Sequence, residues 1–143
     1  MKKSLQLFIL VFVIMFTFSN CKKDDKTTSE FSNKITLGTG VEATNAFNLT
    51  GESSTFYEVG GNALIYFRLE SADDMGGATV ELDFETTGGS LINTISRPAA
   101  QNYGNIMVSS FVWEWETGNY TVKAYLQETN SRKFIASKDF TIQ

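Results

Sequence analysis

Ala63-Leu64-Ile65-Tyr66-Phe67-Arg68-Leu69-Glu70 alternates without a break, placing Ala63, Ile65, Phe67 and Leu69 on one side and Leu64, Tyr66, Arg68 and Glu70 on the other. A period of two predicts an extended strand with one buried face. A second run, from Ala78 to Glu85, alternates more sharply, with Val80, Leu82 and Phe84 opposed to Thr79, Glu81, Asp83 and Glu85. Between them Ser71-Ala72-Asp73-Asp74-Met75-Gly76-Gly77 carries the residues of a turn.

The same signal continues on both sides. Short β-rich runs at residues 34–39, 46–49, 55–59, 91–96 and 106–115 are separated by Gly, Asn, Asp and Ser clusters, and hardly any stretch keeps a helical period. The 106–115 run is ambiguous in phase. If Met107, Phe111, Trp113 and Trp115 face the core, Ile106, Val108 and Val112 are left partly outside, which points to a bulge or to burial on both sides. Residues 119–127 and 133–142 read as a closing hairpin around Glu128-Thr129-Asn130-Ser131, with Asn130 expected at positive φ. Seven to nine strands, one proline and no helix predict an all-β, antiparallel two-sheet sandwich over residues 34–143.

Gly118-Asn119-Tyr120-Thr121-Val122 resembles the start of the next-to-last strand of an immunoglobulin-like sandwich. There a tyrosine stands two residues before a core position and bonds back to the preceding corner. The tail from Gly118 to Gln143 resembles the closing strands of the immunoglobulin-like and fibronectin-like domains of many bacterial surface lipoproteins. The chain departs from antibody domains in lacking the two sheet-bridging cysteines and the third-strand tryptophan, so the resemblance implies an architecture and no ligand.

The N-terminus supplies an address. Lys2 and Lys3 precede an apolar run from Leu5 to Phe18, about 14 residues and too short for the roughly 20 of a spanning helix. A cleaved secretory leader over residues 1–20 is expected. Phe18-Ser19-Asn20-Cys21 resembles a bacterial lipobox, with Phe18 in the usual place of leucine and Asn20 in that of glycine or alanine. The resemblance implies that Cys21 is the first mature residue and carries covalent lipid, an anchor that two or more acyl chains make stable. Lys22-Lys23-Asp24-Asp25 resembles the signal by which some Gram-negative bacteria export lipoproteins to the outer face of the outer membrane. An outer-membrane lipoprotein, periplasmic or surface-exposed, is therefore expected. Residues 21–33 are too polar to offset their ordering entropy and read as a flexible tether, with a reach of about 20 Å.

Composition excludes several functions. Removing Lys2 and Lys3, and no acid, from 12 basic and 16 acidic residues leaves a mature chain of 10 and 16, net charge −6. Nucleic acid is an unsuitable partner for it. The chain has no histidine, which removes the commonest general base and zinc ligand, and its single cysteine allows no internal disulfide. Gly60-Gly61, Gly76-Gly77 and Gly88-Gly89 lack the following helix and Lys-Ser/Thr of a phosphate loop and read as turns. Asn48-Leu49-Thr50 and Asn119-Tyr120-Thr121 match the glycosylation sequon, a match with little meaning in a bacterial lipoprotein.

Two sets of residues are candidates for function. Glu81, Asp83 and Glu85 share one strand face at about 7 Å spacing. They read first as a solvated outer face, with a weak calcium site or a carboxylate pair as alternatives. Phe111, Trp113 and Trp115 alternate on one strand face, with Tyr66, Tyr103 and Tyr125 elsewhere. Buried, the row is half of a core; exposed, Trp113, Trp115, Tyr66 and Tyr125 are a candidate binding surface, with Trp115 expected to be partly open. The expected function is a non-enzymatic module that binds protein or mediates adhesion through a sheet face or the loops far from the tether. The alternative is a carbohydrate-binding accessory using exposed aromatics. A small hydrolase is disfavoured by the missing histidine. No cofactor beyond the lipid is expected; the partners would be the membrane, through the anchor, and a protein or glycan.

Overall fold

The computed structural model describes residues 30–98 and 102–143. The leader, Cys21, the export-type signal and all of the tether before Glu30 lie outside the described residues. Nine strands follow: β1 (Lys34–Val41), β2 (Leu49–Glu52), β3 (Thr55–Phe56), β4 (Ala63–Glu70), β5 (Val80–Thr86), β6 (Leu91–Arg97), β7 (Ile106–Trp113), β8 (Gly118–Gln127) and β9 (Arg132–Ile142). No helix occurs among the described residues. They form a four-stranded sheet, β2-β1-β4-β7, and a five-stranded sheet, β3-β9-β8-β5-β6. All pairings are antiparallel except β3 with β9. This is a β-sandwich with an immunoglobulin-like strand order.

β4 has the bounds and the phase that its alternation predicts, with Ala63, Ile65, Phe67 and Leu69 buried and the intervening residues open or half-open. The inner faces of both sheets meet in one core built around Phe67, Phe84, Phe111, Trp113 and Phe140. Phe84 lies 4.8 Å from Phe111 and 5.7 Å from Trp113, and Trp113 packs edge-on to Phe140 at 5.2 Å between ring centroids. Full burial of each large side chain contributes about 1.5–3 kcal/mol, which stands in for the absent disulfide. Tyr120, at the start of β8, donates its hydroxyl to the Glu116 carbonyl at 2.7 Å, while Val122 is fully buried. The corner that Tyr120 resembles in sequence is thus formed.

Four details differ from the sequence reading. Residues 46–48 are a turn, because the Asn45 side chain accepts from the Phe47 N–H and its carbonyl from the Asn48 N–H; the strand begins only at Leu49. The run expected over 55–59 pairs only at Thr55 and Phe56, leaving Val59 in an isolated bridge with Asn62. Of the two alternatives for β7 the bulge falls away, since it pairs with β4 in unbroken register from Ile106 to Trp113, while Ile106 and Val108 are half-buried on the face opposite Met107, Phe111 and Trp113 and Val112 is open. The bulges fall between Phe84 and Glu85 and between Ala124 and Tyr125, where Ile135 and Ala136 are both buried. Asn130 is not at positive φ. Its hairpin closes through the Glu128 N–H on the Ser131 carbonyl and the Ser131 hydroxyl on the Glu128 carboxylate.

Candidate functional site

Antiparallel order sends the turns to two ends. Asn33, residues 71–79 and 102–105 and the β8–β9 hairpin lie at the near end, where β1 begins. Residues 42–48, 57–62, 87–90 and 114–117, with the C-terminal Gln143, lie at the far end.

The far end gathers apolar side chains that the core does not use. Phe47 is 56% exposed, Tyr57 68%, Val59 84% and Leu91, the first residue of β6, 59%. Trp115 is half-buried there, 4.9 Å from Trp113 and stacked at 6.4 Å on Phe84. The four turns also carry Glu42, Glu58, Glu114 and Glu116 and no lysine or arginine. Their closeness registers on Tyr120: burial first, then the charges of Glu116 and Glu58, push its hydroxyl above its usual pKa. Glu58 is held by its N–H on the Gln143 carbonyl, and the Glu42 carboxylate accepts from the Asn48 amide. Open apolar side chains and four carboxylates thus share this end of the sandwich, with Tyr57 beyond β3 at one edge of the five-stranded sheet and Leu91 on β6 at the other.

The four aromatic candidates do not share a surface. Trp113 is wholly buried, with its indole N–H 3.3 Å from the Glu116 carbonyl, so it belongs to the core and not to a binding face. Its β7 position faces the opposite sheet, as the alternation with buried Phe111 requires. Trp115 stands at the far end, whereas Tyr66 lies half-buried on the outer face of the four-stranded sheet. Tyr125 lies on the outer face of the other sheet, 5.6 Å from Phe134 and beneath the Arg132 guanidinium at 4.3 Å.

Glu81, Asp83 and Glu85 do lie on one outer strand face, where cationic side chains pair with all three. Arg132 contacts both Asp83 oxygens, at 3.0 and 2.9 Å, and reaches Glu81 at 3.2 Å; Lys123 takes Glu85 at 2.7 Å. Thr94 adds a 2.7 Å bond, and Asp83 is left only 4% exposed. Burial alone would raise the Asp83 pKa, but the bonds from Arg132 and Thr94 and the charges of Arg132 and Lys123 hold it below the usual carboxylate value. The positive charge a calcium ion would bring is already supplied by these side chains. Among the described residues no group of three or more Asp, Glu, Cys or His is placed to hold a metal ion.

Sequence reasoning missed Phe47, Tyr57, Val59 and Leu91 as a group. The only signal was a large apolar residue inside or beside each of three turn clusters, and nothing local says that those clusters share one end of the sandwich.

No protein-family model and no curated protein matches the chain. Among solved structures it is similar to the soluble domain of PmoD from a Methylocystis species, at 14% identity over 76% of this chain and 89% of that one, TM-score 0.43. It is also similar to the C-terminal domain of wzt, at 8% identity over 77% and 71%, TM-score 0.40. A third is a CARDB domain from Pyrococcus furiosus in complex with di-metal ions, at 16% identity over 87% and 100%, TM-score 0.35. Likenesses this distant bear on no ligand or partner of this chain.

Proposed function

We propose that the chain is a lipid-anchored cell-envelope protein whose β-sandwich binds another protein, without catalysis, through the end far from its tether. The observation that supports this most is the grouping of Phe47, Tyr57, Val59 and Leu91, all more than half exposed, at the end opposite the tether. A domain attached at Cys21 through residues 21–33 is joined to the membrane at its near end, which leaves the far end open to a partner. Apolar side chains open at that end offer surface that a partner protein gains free energy by covering. The carbohydrate-binding reading keeps support from the open Tyr57 ring, a stacking surface of the right kind.

A photo-crosslinking residue placed at Tyr57 or Val59, with Ser137 on the outer face of β9 as the control, tests the reading in intact cells. Discrete protein adducts are expected from the first two positions and not from the third. Equal adducts from all three, or none from the far end, would overturn it; saturable glycan binding abolished by Tyr57→Ala would favour the carbohydrate reading.

A further inference from the structure

Seven lysines and arginines lie among the described residues. Arg68 pairs with Glu70, Lys123 with Glu85, Arg132 with Glu81 and Asp83, and Lys133 with Asp73, while Arg97 caps the Ser110 carbonyl. Lys34 and Lys138 are the two whose ammonium groups make no hydrogen bond or ion pair among the described residues. They come from opposite sheets, yet both line the same cleft, of about 330 Å³.

The cleft follows from how the chain crosses between sheets. β2 pairs with β1 only from Gly38 to Val41, and Gly51, at φ 58°, bends it. The Ser53 N–H then donates to the Leu37 carbonyl, and one residue on, the Ser54 carbonyl accepts from the Thr141 N–H of β9. Below that crossing neither β2 covers β1 nor β3 covers β9, since β3 pairs only at Thr141 and Ile142. Backbone groups of alternate residues point to the same side of a strand. Because the Leu37 carbonyl faces β2, the Ile35 N–H and carbonyl face the uncovered opening. The cleft therefore offers a free strand edge, two unneutralised ammonium groups, and the hydroxyl-bearing Ser53 and Ser54, against one carboxylate, Glu52.

We propose that this cleft takes an extended segment of a partner protein, which adds to the free edge of β1 at Ile35 and sets an acidic side chain between Lys34 and Lys138. A peptide strand uses the backbone edge as well as the charges; a sugar acid or a free carboxylate uses the charges alone. The cleft is separate from the far end and does not depend on its role.

The test is a titration of the mature full-length chain, labelled with ¹⁵N and held in detergent, with a capped hexapeptide alternating glutamate and valine. Saturable shifts of the Ile35 and Leu37 amides are expected, with affinity reduced about tenfold in Lys34→Gln and in Lys138→Gln, the loss of one charge pair. Glu52→Gln should tighten binding. All three positions are at the surface, so an otherwise unchanged amide spectrum confirms that the fold is kept. Absence of shifts at Ile35, equal binding of a capped hexapeptide alternating lysine and valine, or equal affinity for glucuronate or glutarate would each overturn the proposal.

Discussion

Replacing Tyr120 by phenylalanine removes one hydroxyl and leaves the ring, which packs 4.4 Å from Trp113 and 5.8 Å from Phe140. The lost interaction is the 2.7 Å bond to the Glu116 carbonyl, which keeps a second, longer donor in the Trp113 indole at 3.3 Å. The carbonyl is therefore not orphaned, and the cost falls near the middle of the range for a net hydrogen bond, about 1 kcal/mol. For a domain of this size that lowers Tm by about 4 °C. pH gives a second readout. Burial and the charges of Glu116 and Glu58 raise the Tyr120 pKa above 10.0, so the folded state keeps a proton that the unfolded state releases. The resulting stability is fully present below pH 10 and is lost as pH rises through the folded value. Tyr120→Phe has no such proton. Thermal melts of both chains at pH 7 and at several values from 9 to 11 should show a gap of about 4 °C that narrows on the alkaline side. A gap under about 1 °C at neutral pH, or one that stays constant through pH 11, would refute the role given to this corner.

Trp113→Ala should cost about 3–5 kcal/mol, enough to unfold a marginal domain, whereas Trp115→Ala, at a half-buried site, should cost about 1–2 kcal/mol; urea melts compare them, and similar costs would contradict the burial difference. Asp83→Asn should lower Tm at pH 7. Because the folded Asp83 pKa is depressed, its contribution is present above the unfolded value and is lost as pH falls through the folded one, so the gap to the parent chain should close in acid. A gap unchanged down to pH 2 would mean that the contacts with Arg132 and Thr94 do not stabilise the ionised form. Neutralising Lys22, Lys23, Asp24 and Asp25 should reduce protease accessibility of the protein on whole cells, and unchanged accessibility would remove the surface-export reading.

The parts of the fold legible in the sequence are those fixed by local periodicity. β4 could be bounded to the residue because its alternation admits only one phase, and Tyr120 announced its corner through its spacing to Val122. Residues 46–49 misled because Ala46, Phe47 and Leu49 look like strand residues, while the Asn45 side chain diverts the backbone into a turn. Asp83 was legible as outward-facing but not as buried, because the arginine that covers it lies 49 residues further along the chain. The far end was illegible for a related reason. Phe47, Tyr57, Val59 and Leu91 come to one end of the sandwich only through strand order, which depends on three crossings between sheets, β2 to β3, β3 to β4 and β4 to β5, that no local pattern specifies.

The proposed function stands on lipidation of Cys21. The most direct measurement is the intact mass of the native chain extracted from cell envelopes, with Cys21→Ala fractionated beside it. A mature chain that begins at Cys21 and carries three acyl groups, together with release of Cys21→Ala from membranes, is the expected result. An unacylated chain that retains residues 1–20, or a Cys21→Ala chain that still sediments with membranes, would contradict it.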